Sequence, residues 1–148
     1  MNKNIIFIFS DQQRWDTMGI YGQKLDTTPN LDKLANEGTV FDNAFTCQPV
    51  CGPARSSIQT GLYATKTDVF VNGIPLNENI KTIASYFSES GYQTAYVGKW
   101  HLASRGVGND GSNEDYIYHP IPEERRGGYK DYWVVSDALE LTSHGFGG

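Results

Sequence analysis

The sequence predicts an α/β fold with a mainly parallel sheet flanked by helices. Strand-like and helical segments alternate along the first hundred residues, and this order is typical of parallel sheets. The run at residues 4–10 is almost continuously apolar, which is typical of a strand buried on both faces. Helices are predicted at residues 28–38 and 80–90, and further strands at 39–45 and 92–97.

Both predicted helices carry start or stop signals. Thr28 before Pro29 is a cap followed by a proline at the first helical position, and Gly38 ends that segment. Gly91 ends the second helix. Each helix has one apolar face, formed by Leu31, Leu34 and Ala35 in the first and by Ile80, Ile83, Ala84 and Phe87 in the second.

Composition narrows the functional classes. The chain has 148 residues, of which 39% are hydrophobic and 20% charged, as expected for a globular domain. Its formal net charge of -5 gives no indication of a nucleic-acid partner. The apolar run at residues 5–9 is too short for a signal-peptide core or a membrane span. The chain as written is therefore expected in the cytoplasm, or in the periplasm or outside the cell if a leader is missing.

The last third of the chain has a different character. Eight of the 16 glycines lie between residues 104 and 148. We therefore predict that residues 1–103 form the N-terminal part of a catalytic domain. Residues 104–148 are predicted to be an irregular, glycine-rich and incomplete continuation of it. In this region, Tyr129, Tyr132 and Trp133 are expected to pack against the core, with the lining of a substrate pocket as the alternative. His119 and His144 are expected at the surface.

The two cysteines are Cys47 and Cys51. Their spacing is compatible with a disulfide, with half a metal site, or with neither role. The sequence has no second Cys/His cluster, so we favour the interpretation that they form neither a disulfide nor a metal site. Cys47 is predicted to be a small buried side chain.

The segment around Cys51 has several features of an anion site. Pro53 suits the first turn of a helix, which would place Cys51 just outside it, at the cap. The first-turn N–H groups and the helix dipole favour an anion there. Arg55 would return to the same face, and its planar donors suit a tetrahedral oxyanion. A structural cysteine and a solvated arginine are the alternative.

Two other places carry candidate site residues. Asp11 falls at the carboxyl end of the first predicted strand, where it would bind a hard cation or cap a turn. Lys99 and His101 follow a later strand and would share one face if the backbone stays extended. Such a pair suits anion binding and proton transfer, although a snorkelling lysine and a surface histidine are the alternative.

These segments together resemble the type I sulfatases of the alkaline phosphatase superfamily. Cys51-x-Pro53-x-Arg55, followed by Thr60-Gly61, resembles the signature of that family. Residues 10–16 (SDQQRWD), 28–35 (TPNLDKLA) and 98–102 (GKWHL) resemble further family segments, and the resemblance extends from about residue 4 to about residue 103.

The resemblance implies a mechanism. A maturation enzyme would oxidise Cys51 to formylglycine, whose hydrate attacks the sulfur of a small-molecule or glycan sulfate ester. The catalytic residues would be Cys51, Arg55, Lys99 and His101. Lys99 would also contact the sulfate, and His101 would contact the formylglycine hydroxyl.

The resemblance also implies a metal site. Calcium, in preference to magnesium or another divalent ion, would bind Asp11, Gln12 and the residue at position 51. The family commonly has two adjacent aspartates where this chain has Asp11-Gln12. A glutamine carbonyl coordinates calcium without contributing charge.

Family members are several times longer than this chain, so the resemblance covers only their N-terminal part. The chain alone is therefore expected to lack the remaining metal ligands, to have little activity and to self-associate through apolar surface. Two other functions fit the sequence: a phosphoester or phosphonate monoester hydrolase of the same superfamily, and a non-catalytic truncated module.

Overall fold

The structure is a computed structural model that describes residues 3–105, 116 and 118–138. The chain divides into two compact units, residues 1–45 and 46–148. Within the described ranges, no helix is long and apolar enough to cross a membrane. The subdivision predicted from the sequence, at residue 103, stays a prediction.

The first unit is built from short helical segments. Two 3-10 turns, Trp15–Thr17 and Gly19–Tyr21, precede helix α1, Pro29–Glu37. The predicted helix is confirmed, with Pro29 at its start. The Thr28 hydroxyl donates to Asp32 Oδ2 (3.1 Å) and accepts from the N–H of Gly19 (3.1 Å) instead of capping α1. Thr28 therefore joins α1 to the preceding turn.

The second unit contains three helices and two strands in its described part. The helices are α2 (Cys51–Thr60), α3 (Ala64–Thr67) and α4 (Ile83–Glu89), and a 3-10 turn lies at Glu123–Arg125. Strands β1 (Ala95–Lys99) and β2 (Tyr132–Ser136) pair in parallel, in register from Ala95 with Tyr132 to Lys99 with Ser136. A parallel sheet with helices confirms the predicted α/β class.

Two predicted strands of the first unit are wrong. Residues 4–10 and 39–45 contain no strand, and Ile6 and Ile8 in the first run are 84% and 81% exposed. A buried strand needs neighbouring strands to accept and donate its backbone hydrogen bonds, and the described part of this unit contains none. The apolar face of α1 is likewise uncovered, with Leu34 62% exposed.

Element boundaries in the second unit also differ from the predictions. Helix α4 begins at Ile83, three residues late, because Thr82 and Ser85 form a capping box at its start. Strand β1 begins at Ala95 because the N–H of Thr94 donates to Asp131 Oδ2 (2.7 Å). The strand continues through Lys99 because those residues pair with β2.

Strand β2 corrects the prediction that residues 104–148 are irregular. The segment Tyr132–Ser136 begins with four aromatic or β-branched residues, which favour strands. This run of strand-forming residues is short and lies in a region rich in glycine and charged residues, so the sequence alone did not predict a strand there. It forms a ladder because β1 supplies a parallel partner.

Four aromatic side chains form the centre of the second unit. Trp100, only 1% exposed, packs with Tyr96, Tyr129 and Trp133 at ring-centroid distances of 5.1 to 6.0 Å. Tyr129 and Trp133 thus pack in the core as predicted, whereas Tyr132 is 58% exposed. His119 is exposed, as expected, and His144 lies outside the described residues.

Tyr129 connects this cluster to α2. Its buried hydroxyl donates to Gln59 Oε1 at 2.9 Å. Burial raises the pKa of Tyr129 to about 12, since ionisation would place an anion in an apolar site.

Replacing Tyr129 with Phe tests this contact. Between about pH 10 and 12 the unfolded chain releases the tyrosine proton and the folded chain retains it. The free energy of unfolding should therefore fall by about 2 to 3 kcal/mol across that window. Urea unfolding of Tyr129→Phe should show a loss of about 1 kcal/mol at neutral pH and a shallower alkaline decline.

The exposed Tyr132→Phe is the matched control for removal of a tyrosine hydroxyl and should change the free energy of unfolding at neutral pH by less than about 0.5 kcal/mol. An unchanged decline in Tyr129→Phe would show that this hydroxyl does not titrate from a buried site.

Candidate active site

Helix α2 positions Cys51. The helix begins at Cys51, with Val50 as its N-cap, and the N–H of Ala54 donates to the Val50 carbonyl at 2.9 Å. Cys51 is therefore the first helical residue and not the cap, and Pro53 is the third. This corrects the predicted boundary by one residue, because the helical hydrogen bonds already start from Val50.

The side chain of Asn72 occupies part of the helix start. The N–H of Gly52 donates to Asn72 Oδ1 at 2.8 Å, and Pro53 has no N–H. The prediction that the first-turn N–H groups face an anion is therefore wrong for Gly52. A Cβ at position 52 would lie 3.2 Å from Asn72 Oδ1 and 3.4 Å from the Val71 carbonyl, so a glycine permits this close approach.

The end of α2 explains the Thr-Gly pair of the signature. Gly61 adopts φ 70°, a left-handed conformation that glycine tolerates, and its N–H donates to the Ser57 carbonyl at 2.8 Å. The Thr60 hydroxyl donates to the Ser56 carbonyl at 2.7 Å. These bonds end the helix after Thr60.

Arg55 connects α2 to the end of β1. Its side chain is 5% exposed, and Nη1 donates to the backbone carbonyl of Lys99 at 2.6 Å. The Tyr96 hydroxyl donates to the same carbonyl at 2.8 Å and lies 3.5 Å from Arg55 Nη1. Burial raises the pKa of Tyr96, and the Arg55 guanidinium partly opposes this shift. The hydroxyl therefore stays protonated and able to donate.

Lys99 brings a buried cation to Cys51. The Lys99 side chain is 6% exposed, and its Nζ lies 3.7 Å from Cys51 Sγ. Cys51 also lies at the positive end of the α2 dipole, and the Arg55 guanidinium binds the backbone of the same Lys99. The surroundings of Cys51 are therefore cationic and suited to an anionic ligand, in a chain of net charge -5.

His101 lies two residues after β1 in a left-handed conformation. Its φ is 58°, so the backbone does not stay extended there, and the predicted shared face of Lys99 and His101 does not arise from strand geometry. Trp100 between them is anchored by its indole N–H, which donates to the Arg125 carbonyl at 3.1 Å. Non-glycine residues with positive φ are uncommon and concentrate at functional sites.

The predicted metal ligands Asp11 and Gln12 belong to the first unit. Both side chains are exposed, and Gln12 also has positive φ, 56°. A carboxylate next to an amide carbonyl is a set of hard oxygen donors that suits a hard divalent cation. Within the described residues, no three His, Cys, Asp or Glu side chains are grouped as a metal site. The role of Asp11 and Gln12 stays a prediction.

Cys47 corrects another expectation. It is exposed and not buried, and its Sγ lies 2.9 Å from Ser57 Oγ on the second turn of α2. It is not joined to Cys51 by a disulfide.

Sequence reasoning missed three residues that support this site: Asn72, Tyr96 and Asp137. Asn72 binds a backbone N–H 20 residues away, at Gly52, and no spacing rule indicates such a contact. Tyr96 binds the Lys99 carbonyl only three residues away, but this contact depends on the side chain turning back toward the end of β1. Asp137 had a usable signal, since four strand-forming residues and a serine precede it, as an apolar run precedes Asp11. It was overlooked because β2 was not predicted.

Comparison with known proteins decides the family. A family model described as Sulfatase matches residues 3–138. The chain belongs to the sulfatase family. An ulvan-active sulfatase from Formosa agariphila is 41% identical to this sulfatase-family chain over 139 residues, covering 94% of this chain and 24% of that protein.

Solved structures agree with this sulfatase assignment. A structure from Bacteroides fragilis, assigned as the sulfatase yidJ, matches with TM-score 0.71 and 33% identity, covering 86% of this chain and 30% of that chain. Another, solved in complex with its substrate D-glucosamine-2-N,6-O-disulfate, matches with TM-score 0.57 and 39% identity, covering 61% of this chain and 18% of that chain.

This sulfatase-family chain spans 19 to 24% of the length of three curated relatives that it matches. Membership of the family generally implies a formylglycine residue and a divalent metal ion in the complete enzyme.

Proposed function

We propose that the complete protein containing this chain hydrolyses sulfate esters to an alcohol and sulfate, using a formylglycine derived from Cys51. One observation carries the proposal. Cys51 is the first residue of α2, and the buried ammonium of Lys99 lies 3.7 Å from its sulfur. A nucleophile beside a desolvated cation suits attack on an ester that already carries negative charge.

Each candidate catalytic residue of the second unit has a role in this proposal. Lys99 binds a sulfate oxygen and stabilises charge on it, because its ammonium is buried and less screened by water. Arg55 fixes the backbone of Lys99 and adds positive charge. His101 hydrogen-bonds the hydroxyl at position 51 and accepts a proton from it. Hydrated formylglycine supplies two hydroxyls on one carbon, so one can attack while the other later loses its proton.

The oxygen donors Asp11 and Gln12 fit a hard cation, and with position 51 they would hold calcium. When bound, calcium would draw negative charge from sulfate oxygens. Calcium takes six to eight oxygen ligands, more than these residues provide. The complete protein would supply the others. Calcium is preferred to magnesium because its shell tolerates irregular ligand geometry.

One relative supports an inference about the substrate class. A structural neighbour was solved with a sulfated glucosamine as its substrate. We infer a sulfated sugar or glycan for the complete protein, and a maturation enzyme as a partner that oxidises Cys51. The exposed apolar residues 5–9 support self-association of the 148-residue chain by itself.

Maturation should be specific for Cys51. Only Cys51 is followed by proline two residues later and arginine four residues later. After co-expression with a formylglycine-generating enzyme, peptide mass spectrometry should find the aldehyde at position 51 in wild type and in the control Cys47→Ser. Cys51→Ser should carry no aldehyde. An aldehyde at position 47 alone would overturn the assignment.

Activity should require the complete protein. With saturating calcium and confirmed aldehyde, the complete protein should hydrolyse an aryl sulfate faster than the corresponding phosphate or phosphonate ester. The 148-residue chain should be at least about 100-fold slower, because its calcium shell is incomplete.

Two results would contradict this account. If the matured protein hydrolyses phosphonate or phosphate esters faster than sulfate esters, the alternative function of a phosphoester or phosphonate monoester hydrolase would be favoured. Full rates from a monomeric 148-residue chain would show that these residues suffice as a catalytic unit.

A further inference from the structure

We infer that Asp137 is a positioning residue that sets the conformation of His101. The inference rests on the proposed function for its catalytic consequence, but its structural part stands independently. Asp137 follows β2 directly, as the segment bearing His101 follows β1, so the parallel register brings both to the same edge of the sheet.

The carboxylate of Asp137 binds three consecutive backbone N–H groups. Oδ1 accepts from Leu102 and Ala103, each at 3.1 Å, and Oδ2 accepts from Ser104 at 2.8 Å. Asp137 is 0% exposed, and Leu102 and Ala103 are 1% and 0% exposed. Consecutive N–H groups around one anion form a nest, and a buried carboxylate needs such donors in place of water.

These bonds constrain His101 from its C-terminal side. On its N-terminal side, the N–H of Trp100 donates to the Ser136 carbonyl at 2.9 Å, which extends the ladder by one bond. His101 is thus the single residue between Trp100, which is bound to Ser136 of β2, and Leu102, which is bound to Asp137.

The conformation of His101 requires such constraint. Its φ of 58° is disfavoured for a residue with a Cβ, and such conformations persist where the surroundings over-determine them. Without the carboxylate, the N–H groups of residues 102–104 would lose their shared acceptor. His101 would then relax toward ordinary backbone angles and redirect its imidazole.

Asp137→Asn is the informative substitution. Asparagine keeps the size and one acceptor oxygen, sufficient for Leu102 and Ala103. Its NH2 group would face the N–H of Ser104, donor against donor, so one bond is lost and a repulsion is added.

Asp131→Asn is the matched control. Asp131 lies just before β2, at the opposite end of the same strand, and accepts from the N–H of Thr94 (2.7 Å) and from its hydroxyl (3.3 Å). It supplies a similar carboxylate-to-backbone contact away from His101.

The test is NMR of the uniformly labelled 148-residue chain, compared at equal fractions folded. Asp137→Asn should shift the amides of residues 102–104 and the imidazole signals of His101, whereas Asp131→Asn should shift Thr94 and leave His101 unchanged. Unchanged His101 signals in Asp137→Asn, or equal shifts in both variants, would overturn the inference.

If Asp137→Asn does not fold, wild-type hydrogen exchange decides. Amides 102–104 should exchange as slowly as those of the β1 ladder, and rapid exchange would contradict the proposed clamp.

In the matured complete enzyme, Asp137→Asn should lower kcat about 10- to 100-fold with little change in KM, because misplacement affects the proton-transfer group more than sulfate binding. Asp131→Asn should retain kcat. If the wild-type enzyme cleaves no sulfate ester, the proposed function fails, while the NMR result still decides the positioning role. Wild-type kcat in Asp137→Asn would refute the catalytic consequence.

Discussion

The backbone carbonyl of Lys99 is the acceptor on which the candidate site depends. A buried guanidinium cannot lose its charge, so it needs strong acceptors. The Lys99 carbonyl, at the end of β1, supplies one to Arg55 and simultaneously binds the Tyr96 hydroxyl. Because Arg55 belongs to the same helix as Cys51, these hydrogen bonds fix the helix that carries Cys51 against the strand that carries Lys99.

A site that concentrates buried charge reduces stability, and the rest of the second unit compensates. The ammonium of Lys99 and the carboxylate of Asp137 are both removed from water, the first beside Cys51 and the second within a nest of N–H groups. The aromatic cluster around Trp100 belongs to the core of the same unit and supplies apolar burial. The strained backbone conformation of His101 is thus stabilised by the surrounding core and by backbone hydrogen bonds.

The sequence predicted those parts that depend on local patterns. The α/β class, helix α1 and the approximate positions of α2 and α4 followed from caps, periodicity and breakers. The run at residues 4–10 was misjudged because burial of a strand depends on partners that local sequence does not contain. Cys51 lies in the family signature and Lys99 in another family segment, and the structure brings their side chains to within 3.7 Å of each other. The function of Asn72 could not be predicted, since it binds the N–H of Gly52, 20 residues away. That of Tyr96 could not be predicted because the carbonyl it binds is shared with Arg55, which is 44 residues from Lys99 in the sequence.

The shared hydrogen bonds of Arg55 and Tyr96 to the Lys99 carbonyl are tested most directly by a double-mutant cycle between Arg55→Met and Tyr96→Phe. The free energy of urea unfolding is measured for each variant. Two donors that share one buried acceptor should be coupled, by at least about 0.5 to 1 kcal/mol. The cycle Arg55→Met with the exposed Tyr132→Phe serves as the additive control. Coupling confined to the Arg55–Tyr96 pair is the predicted result. Additivity of Arg55→Met and Tyr96→Phe would contradict the view that this carbonyl holds the site together.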